Sequence, residues 1–407
     1  MPAPLRVAFV SLHTSPAATP GSADAGGMNV VEMAQAAALA ARGHEVDLIT
    51  RRSDSDQPDV QDLATGVRLR HLDAGPAAHV SKAGQEAFVE EFSARLAELE
   101  PPDLVHSHHW MSGMAALPVA RAWGVPHVQS YHSVAALPGA PLDDGEPAES
   151  AGRVGAEREL ATGSDLVLAV SDAEARTVVE RCGADPARVA VVRPAVDHEL
   201  FRPLREGEVA WDGAPRPYLL FAGRLEPLKA PDLVVEALAT LPAETRPHLV
   251  VAGEASADFA DYARHLRALS GRLGVADSVI FLGSQPRSVL AHLLRSAVAL
   301  VVPSYSETFG LIALEGQASG VPVVARRAGG LVESVADGRG GVLVDGRDAE
   351  AWGAAIASTL DVAEHQRLSR GGVEFADDFR WDQVGVELEH AYTGLLGHEA
   401  TPEAVSA

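Results

Sequence analysis

The chain has 407 residues, of which 47% are hydrophobic, and a formal net charge of −23. This length favours two packed domains over one. The acidic balance argues against nucleic acid as a partner and against stable membrane binding, because the chain has no Lys/Arg run that could hold an anionic surface. The single cysteine, Cys182, excludes a disulfide framework and is typical of a reducing compartment.

Targeting signals are not visible in the sequence. The apolar run at residues 6–10 is too short for a signal peptide, and no stretch approaches the length of a transmembrane helix. The sequence therefore predicts a cytoplasmic protein. The tail at residues 401–407 is expected to be disordered.

The first 50 residues contain a strand, a Gly-rich loop, a helix and a second strand. The strands are predicted at residues 7–12 and 46–50, and Asn29 opens the helix between them. This βαβ pattern predicts a parallel sheet. Gly26 and Gly27 precede the helix, where a phosphate can approach backbone N–H groups closely, although a plain turn is the simpler alternative. No G-x-G-x-x-G motif follows the first strand, which argues against a dinucleotide dehydrogenase.

The remaining N-terminal segments continue this alternation. Strands are predicted at residues 104–106, 127–130, 166–170 and 189–192, with helices at 85–99, 111–123, 149–162 and 172–182. Proline and charged residues cluster at 194–217, as in a connection between domains. We therefore predict a Rossmann-like N-terminal domain at residues 1–200.

A second domain is predicted at residues 201–376. Its strands are predicted at 218–222, 248–252, 279–282, 300–302 and 322–325, with helices from Pro231 and at 259–273, 289–296 and 311–318. Arg224 and Lys229 lie in the loop after the first of these strands. Two cations beside a helix N-terminus would hold a diphosphate and stabilise its charge as it leaves, whereas the simpler alternative is two solvated surface charges.

Glu307 and Glu315 flank the turn between the buried strand at 300–302 and the following helix. Ligands of open α/β sheets bind at the carboxyl ends of the strands, and the free N–H groups of a helix N-terminus favour an anion. A carboxylate there is a suitable acceptor for sugar or ribose hydroxyls. Taken singly, each glutamate is more simply a solvated surface residue.

The segment HSHHW, residues 106–110, raises the question of a metal site, since His106 and His108 alternate at a predicted strand end. No matching set of Cys, His and carboxylate ligands stands nearby in the sequence. We therefore expect structural or substrate-binding histidines and no metal.

The block at residues 299–330, together with GRLEPLKAPD at 223–232, resembles the retaining glycosyltransferases of family 4. The signature of that family is a pair of glutamates separated by seven residues, and Glu307 and Glu315 have this spacing. The resemblance implies an α/β protein of the GT-B fold, in which two Rossmann-like domains face each other across a cleft. It also implies that the final helix, within residues 377–407, crosses back onto the N-terminal domain.

The resemblance further implies a donor site for a nucleoside diphosphate sugar, such as a UDP- or GDP-sugar. Arg224 and Lys229 would bind the diphosphate, Glu315 the ribose and Glu307 the donor sugar. The donor-binding set is Gly26, Gly27, Arg224, Lys229, Glu307, Phe309, Gly310, Leu311 and Glu315. His132, which faces the transferred sugar in this family, completes a catalytic set with Arg224, Lys229 and Glu307. No cofactor and no metal are implied, because the two cations replace a metal at the diphosphate.

The N-terminal half resembles one branch of the family, the D-inositol-3-phosphate glycosyltransferases of mycothiol biosynthesis. The matching segments are VSLHTSP, GGMNV, AGP, HSHHW, PLDDGEPAES and PAVD. In that branch a Lys, a Tyr, a Thr and an Arg gather the acceptor phosphate. The acceptor-binding set implied here is Lys82, His109, Ser133 and Arg153, with Asn29 at an acceptor hydroxyl. His109 in place of Tyr, and Ala195 in place of Gly, are departures from the branch.

A small, polar, anionic acceptor is thus expected, and either a phosphate or a carboxylate would suit Lys82 and Arg153. Three alternatives stay open. One is a secondary-metabolite enzyme of the same fold, such as a lincomycin-type S-glycosyltransferase. Another is a GT-B nucleotide-sugar epimerase, which would need no acceptor pocket. The third is a two-domain sugar-binding protein, whose usual exported context conflicts with the missing signal peptide. The sequence does not fix the oligomeric state, and a homodimer is one option.

Overall fold

The computed structural model describes residues 3–18, 26–255 and 259–398, and its strands form two separate sheets. Part of the predicted Gly-rich loop and the tail at 401–407 lie outside the described residues. Apolar runs that are buried on both faces form the centre of each sheet, as expected for parallel strands covered by helices.

The first sheet has eight strands. They are β1 (Arg6–Ser11), β2 (Glu45–Arg51), β3 (Val60–Ala64), β4 (Val67–Leu72), β5 (Leu104–His108), β6 (His127–Ser130), β7 (Leu166–Ala169) and β8 (Val189–Val191). Their order is β3-β4-β2-β1-β5-β6-β7-β8. The β3–β4 pair is antiparallel, and the other neighbours are parallel. The pair β3 and β4 was not predicted from the sequence.

The helices of this first domain cover both faces of its sheet. They are α1 (Gly27–Ala41), α2 (Val89–Leu96), α3 (Trp110–Trp123), α4 (Arg153–Gly163) and α5 (Asp172–Thr177). The predicted helix at 85–99 is divided into a 3₁₀ turn, Ala83–Phe88, and α2. The helix predicted from residue 149 starts only at Arg153, so Glu149 lies in the preceding loop. The helix predicted at 172–182 ends in a π turn, Val178–Cys182.

The second sheet has six strands, all parallel. They are β9 (Tyr218–Ala222), β10 (His248–Ala252), β11 (Val279–Gly283), β12 (Ala299–Val302), β13 (Val323–Arg326) and β14 (Gly341–Val344), in the order β11-β10-β9-β12-β13-β14. The helices are α6 (Pro231–Thr240), α7 (Tyr262–Arg272), α8 (Arg287–Leu294), α9 (Leu311–Ala318), α10 (Leu331–Ser334), α11 (Ala349–Leu360) and α12 (Val362–Ala376). The sequence analysis did not predict β14 or α10 to α12.

The last helix, α13 (Trp381–His398), packs on α1 of the first domain. Its residues Val384, Leu388 and Tyr392 are buried in the same apolar cluster as Phe9 of β1. The Tyr392 hydroxyl lies 2.8 Å from Nδ1 of His106 in β5. The chain therefore returns to the N-terminal domain after completing the second one.

Direct hydrogen bonds join the two domains beside the cleft between them. Thr308 donates from Oγ1 to the backbone oxygen of His132 at 2.8 Å. The Glu333 carboxylate accepts from the backbone N–H groups of Asp172 and Ala173 at 3.0 Å each. Arg193 donates to the same carboxylate at 3.1 Å. The Thr308 bond holds the loop that carries Glu307 against the first domain, and the Glu333 bonds hold α10 there.

Candidate active site

A cleft of about 370 Å³ lies between the two sheets and is lined by both domains. Most of the residues predicted for the site line it. They are Gly26, Gly27, Lys82, His109, His132, Ser133, Arg224, Lys229, Glu307, Phe309, Gly310, Leu311 and Glu315. The lining does not include Asn29 or Arg153. The fold thus gathers the predicted donor residues and most of the predicted acceptor residues around one cavity.

The donor-side cations stand after β9, at the carboxyl end of the second sheet. Lys229 ends a 3₁₀ turn, Pro227–Lys229, just before α6, and its Nζ lies 2.7 Å from Oε1 of Glu307. Arg224 Nη2 lies 3.2 Å from Oε1 of Glu226. Both side chains remain partly exposed, at 21% for Lys229 and 33% for Arg224. They are therefore within reach of a ligand in the cleft.

The loop that bears Glu307 is supported by its own side chains and by a neighbouring turn. Ser304 donates from Oγ to Oε1 of Glu307 at 2.8 Å, and Gly330 N donates to the backbone oxygen of Glu307 at 2.8 Å. A Cβ at Gly330 would lie 2.2 Å from the backbone oxygen of Thr308, so only glycine allows this close approach. The carboxylate of Glu307 is thereby fixed beside Lys229.

Glu315 lies in α9, and only 2% of it is exposed. Burial raises the pKa of its carboxyl, while Arg287, which donates from Nη2 at 2.7 Å, opposes that rise. Arg287 also lines the cleft and was not predicted from the sequence. A signal was available, because a cation at the first residue of a helix is unfavourable to the helix dipole unless a carboxylate compensates it.

His132 lies between the two domains in an unusual backbone conformation, with φ of 58°. Among the described residues that are not glycine, only His109, His132 and Ala230 have positive φ. The two histidines line the cleft, and Ala230 follows Lys229. Such strained conformations concentrate at functional sites. Burial lowers the pKa of His132 to about 4, so its imidazole is neutral near pH 7.

A possible set of metal ligands lies beside the cleft. Potential ligand atoms of Glu32, His108 and His132 lie within 4.8 Å of one another. The sequence did not show this set, because α1 brings Glu32 against β5 from a distant part of the chain. The His108 Nδ1 and His132 Nε2 atoms are already hydrogen-bonded to each other at 2.8 Å. A pair of histidines and a carboxylate suits zinc, but an ion would have to break this bond.

His106 has a structural role instead. Its Nδ1 lies 2.8 Å from the Tyr392 hydroxyl, and its Nε2 lies 2.9 Å from Oγ of Ser130. Both ring nitrogens are therefore occupied within the protein. This pairing ties β5 to β6 and to the returning helix α13.

The acceptor-side cations are surrounded by carboxylates. Lys82 Nζ lies 3.5 Å from Glu146 Oε1 and 3.7 Å from Glu149 Oε1. The fully buried Arg153 contacts the same two carboxylates and Glu157. Two cations thus face three carboxylates. These pairings were not predicted from the sequence, because Lys82 lies more than 60 positions from Glu146 and Glu149.

His109 is almost fully buried, and neither ring nitrogen has a hydrogen-bond partner within the described chain. Burial, and then the nearby His13, Lys82 and Arg153, hold its pKa well below the ordinary value. The imidazole of His109 is therefore neutral near pH 7 and adds no positive charge to the site. Because buried polar atoms are rarely left without partners, its ring is suited to a ligand that enters the cleft.

Ser133 and Asn29 are both engaged in bonds within the protein. Ser133 Oγ accepts from Arg153 Nη2 at 2.8 Å. Asn29 accepts from the backbone N–H of Gly26 at 2.9 Å and donates to Ser15 O at 2.7 Å and Thr14 Oγ1 at 3.1 Å. Asn29 thus caps α1, and its contact with an acceptor hydroxyl stays a prediction that would require some of these bonds to change.

Two family models match the chain, one over each half. The model for glycosyl transferases group 1 matches residues 213–370, and the model for a glycosyl transferase 4-like domain matches residues 26–195. The D-inositol 3-phosphate glycosyltransferase of Thermomonospora curvata is 41% identical, over 96% of this chain and 95% of that protein. The protein of the same name from Stackebrandtia nassauensis is 40% identical, over 98% and 93%.

This chain belongs to the group 1 glycosyltransferases. Among solved structures, it is similar to the sucrose-phosphate synthase of Thermosynechococcus elongatus, with a TM-score of 0.84, 28% identity, and coverage of 97% of this chain and 100% of that one. The Anabaena HepE protein, solved with UDP and glucose, is 18% identical with a TM-score of 0.73, covers 96% of this chain and 100% of its own, and supports the fold alone. The predicted family, the GT-B fold and the glycosyltransferase class are confirmed.

The open alternatives are not favoured by these relatives, which are named as inositol-phosphate glycosyltransferases rather than S-glycosyltransferases or epimerases. In the parts of the chain that are described, every helix is too short or too polar to span a bilayer.

Proposed function

We propose that this glycosyltransferase moves a sugar from a nucleoside diphosphate sugar to inositol phosphate, with retention of configuration and without a cofactor or a metal. The observation that carries the proposal is the make-up of the cleft. Arg224 and Lys229 of the second domain share one cavity with Lys82 and His109 of the first. An anionic donor and an anionic acceptor each need cations of their own. We infer the identity of the acceptor from the relatives, which are named D-inositol 3-phosphate glycosyltransferases.

On the donor side, the diphosphate would lie between Arg224 and Lys229. Lys229 would then donate a hydrogen bond to a phosphate oxygen and weaken its present bond with Glu307. The Glu307 carboxylate, still held by Ser304, becomes available to accept hydrogen bonds from the donor sugar. The two cations stabilise the negative charge that grows on the diphosphate as the sugar leaves.

On the acceptor side, the hydroxyl that attacks would enter from the side of His132 and His109. Both imidazoles are neutral near pH 7 because burial lowers their pKa values, so they can orient hydroxyl groups without opposing the acceptor's charge. The bond between the sugar and the diphosphate breaks, and the bond to the acceptor oxygen forms on the same face. The acceptor's proton passes to the departing diphosphate oxygen, so no metal and no covalent enzyme intermediate are required.

The proposal is tested by incubating the purified protein with UDP-N-acetylglucosamine, UDP-glucose or GDP-mannose. Each donor is combined with D-inositol 3-phosphate or with unphosphorylated inositol, and products are followed by mass spectrometry. We expect a glycosylated inositol phosphate from at least one donor, formed in the presence of EDTA, and NMR should give the anomeric configuration of the donor. A donor sugar that changes its stereochemistry without any acceptor, or no product with any pair, would contradict the proposal.

A further inference from the structure

We infer that Glu146 is an internal competitor for the acceptor's anion: its carboxylate occupies the position between Lys82 and Arg153 that the acceptor's phosphate takes during the reaction. This inference rests on the proposed function, and it assigns to Glu146 the choice of acceptor class. A phosphate monoester displaces this carboxylate, whereas a weaker, singly charged carboxylate acceptor does not.

The hydrogen-bonding capacity of Arg153 is fully used within the protein. Its Nε donates to Glu157 Oε1 at 2.7 Å, and its Nη2 donates to the Ser133 backbone oxygen at 3.0 Å and to Ser133 Oγ at 2.8 Å. Its Nη1 donates to Glu149 and, at 3.4 Å, to Glu146. A guanidinium has five N–H groups, and each is directed at a protein oxygen. An acceptor anion can therefore reach Arg153 only by replacing one of these partners.

We take Glu146 as the partner that is replaced. Beyond the two cations its carboxylate has a side-chain hydrogen bond with Ser133, whereas the other two carboxylates are held by a backbone N–H group and by a tryptophan indole. Glu157 accepts from the backbone N–H of Ala135 at 3.1 and 3.0 Å. Glu149 accepts from Trp110 Nε1 at 2.8 Å. The contacts of Glu146 with the two cations, at 3.4 and 3.5 Å, are longer than the 2.7–2.9 Å of a strong charge-assisted hydrogen bond.

The position of Glu146 also supports it as the carboxylate that is displaced. Glu146 is the member of this carboxylate group that lines the cleft, whereas Glu149 and Glu157 lie behind it, outside the lining. Its side chain is 21% exposed, against 13% for Glu149 and 2% for Glu157. Glu146 lies in the loop before α4, so its side chain can turn toward solvent while α4 stays in place. An anion that enters from the cleft meets Glu146 first.

Charge explains why a phosphate is selected. With Glu146 in place, Lys82 and Arg153 face three carboxylates, and this local excess of negative charge repels a second anion. Burial by itself would raise the pKa of Glu146, but Lys82, Arg153 and Arg224 hold it well below the ordinary value, so the carboxylate is ionised near pH 7. When Glu146 moves out, two cations remain with two carboxylates, and a doubly charged phosphate gains more from Lys82 than a singly charged group does.

The inference is tested on the full chain with Glu146→Gln, which keeps the shape of the side chain and removes its charge. Asp144→Asn is the matched control, because Asp144 lies on the same loop, is exposed, and lines no part of the cleft. Titration calorimetry without donor measures the dissociation constants of D-inositol 3-phosphate and of inorganic phosphate. We expect Glu146→Gln to bind both about tenfold more tightly than the wild type, a change of about 1.4 kcal/mol. The control should stay within twofold of the wild type.

Two outcomes would overturn the inference. One is a dissociation constant for both anions that is unchanged or raised in Glu146→Gln and also in Glu146→Ala. The other is a wild type that glycosylates a cationic aminocyclitol and loses that activity in Glu146→Gln, since Glu146 would then recognise the acceptor. Because calorimetry needs no turnover, failure of transfer in the wild type would reject the proposed function, whereas unchanged anion binding in the variants would reject the inference about Glu146.

Discussion

The two halves of the cleft hold their cations in different ways. On the donor side, Lys229 and Arg224 pair with Glu307 and Glu226 and keep 21% and 33% of their side chains exposed. On the acceptor side, Arg153 is completely buried, and its N–H groups are all directed at protein oxygens. A diphosphate can therefore bind the donor cations after small side-chain movements, whereas an acceptor anion must first displace a carboxylate.

This difference predicts that the donor-side cations act mainly in catalysis, whereas the buried arginine on the acceptor side acts mainly in stability. Loss of a donor-side cation should mainly lower turnover, because the cation is exposed and its loop does not depend on it. Loss of the buried acceptor-side arginine should mainly lower stability, because the carboxylates around it would lose their partner. Substitutions in each half test this distinction.

The largest effect on turnover is expected from the donor side. Lys229→Ala and Arg224→Ala should each lower kcat/KM by roughly 10²-fold or more, as for the loss of a group that stabilises transition-state charge. Arg264→Ala is the control, because Arg264 lies in the same domain with 77% of its side chain exposed. Unfolding curves should be nearly unchanged in all three. Near wild-type kcat/KM in both donor-side variants would remove the diphosphate assignment.

Arg153→Ala should instead act on stability. Removal of one partner from a buried ion-pair group typically costs about 3–5 kcal/mol, because uncompensated charges stay buried. Chemical denaturation measures this loss in the free energy of unfolding. Arg158→Ala on the same helix is the control, since Arg158 is exposed and should cost under about 1 kcal/mol. Equal stability of the two variants would mean that Arg153 is not the structural cation that its contacts indicate.

A smaller effect is expected at the contact that brings the two halves together. Glu333 receives hydrogen bonds from the backbone of Asp172 and Ala173 and from Arg193. Glu333→Gln weakens these charge-assisted bonds and should lower kcat/KM by roughly three- to tenfold, with a larger radius of gyration in solution scattering. Glu350→Gln, at an exposed position of α11, should change neither quantity. An unchanged kcat/KM in Glu333→Gln would separate this contact from catalysis.

The smallest effect concerns pH. Burial raises the pKa of Glu32 well above its ordinary value of 4.5, so the folded protein keeps a proton that the unfolded chain releases. The stability that this site contributes is present below pH 4.5 and is lost as the pH rises toward the folded pKa. Glu32→Gln should therefore gain stability relative to the wild type as the pH rises above 4.5. Parallel curves of melting temperature against pH for the two proteins would contradict this.

Much of the fold could be predicted, because its central strands are short apolar runs that alternate with helical patterns. The strands at 127–130, 218–222 and 248–252 and the helix at 311–318 have the predicted bounds. Strand β3 was missed because it is largely exposed and has no buried face to produce a pattern. Strand β4 has the alternation of buried and half-buried residues that is typical of a strand, so the sequence did carry a signal for it.

The donor site was predictable for a related reason. Its residues lie in two short segments, 223–229 and 307–315, and each segment stands at the end of a buried strand. The acceptor site was only partly predictable, because its electrostatics depend on side chains that meet across long sequence distances. Lys82 meets Glu146 only through the fold, and the position of Glu149 in a loop depends on where α4 begins. No residue spacing in the sequence indicates ion pairs between such distant positions.

The central claim is that each half of the cleft serves its own substrate, and steady-state kinetics of Lys82→Ala test it most directly. Lys82 is partly exposed, at 17%, and lines the cleft, so its removal should leave the fold intact. With each substrate varied in turn, the KM for D-inositol 3-phosphate should rise roughly ten- to hundredfold, since a charge-assisted hydrogen bond is worth about 1.5–3 kcal/mol. The KM for the nucleotide sugar should stay within about twofold of the wild type. An unchanged acceptor KM, or an equal rise in both KM values, would contradict the account.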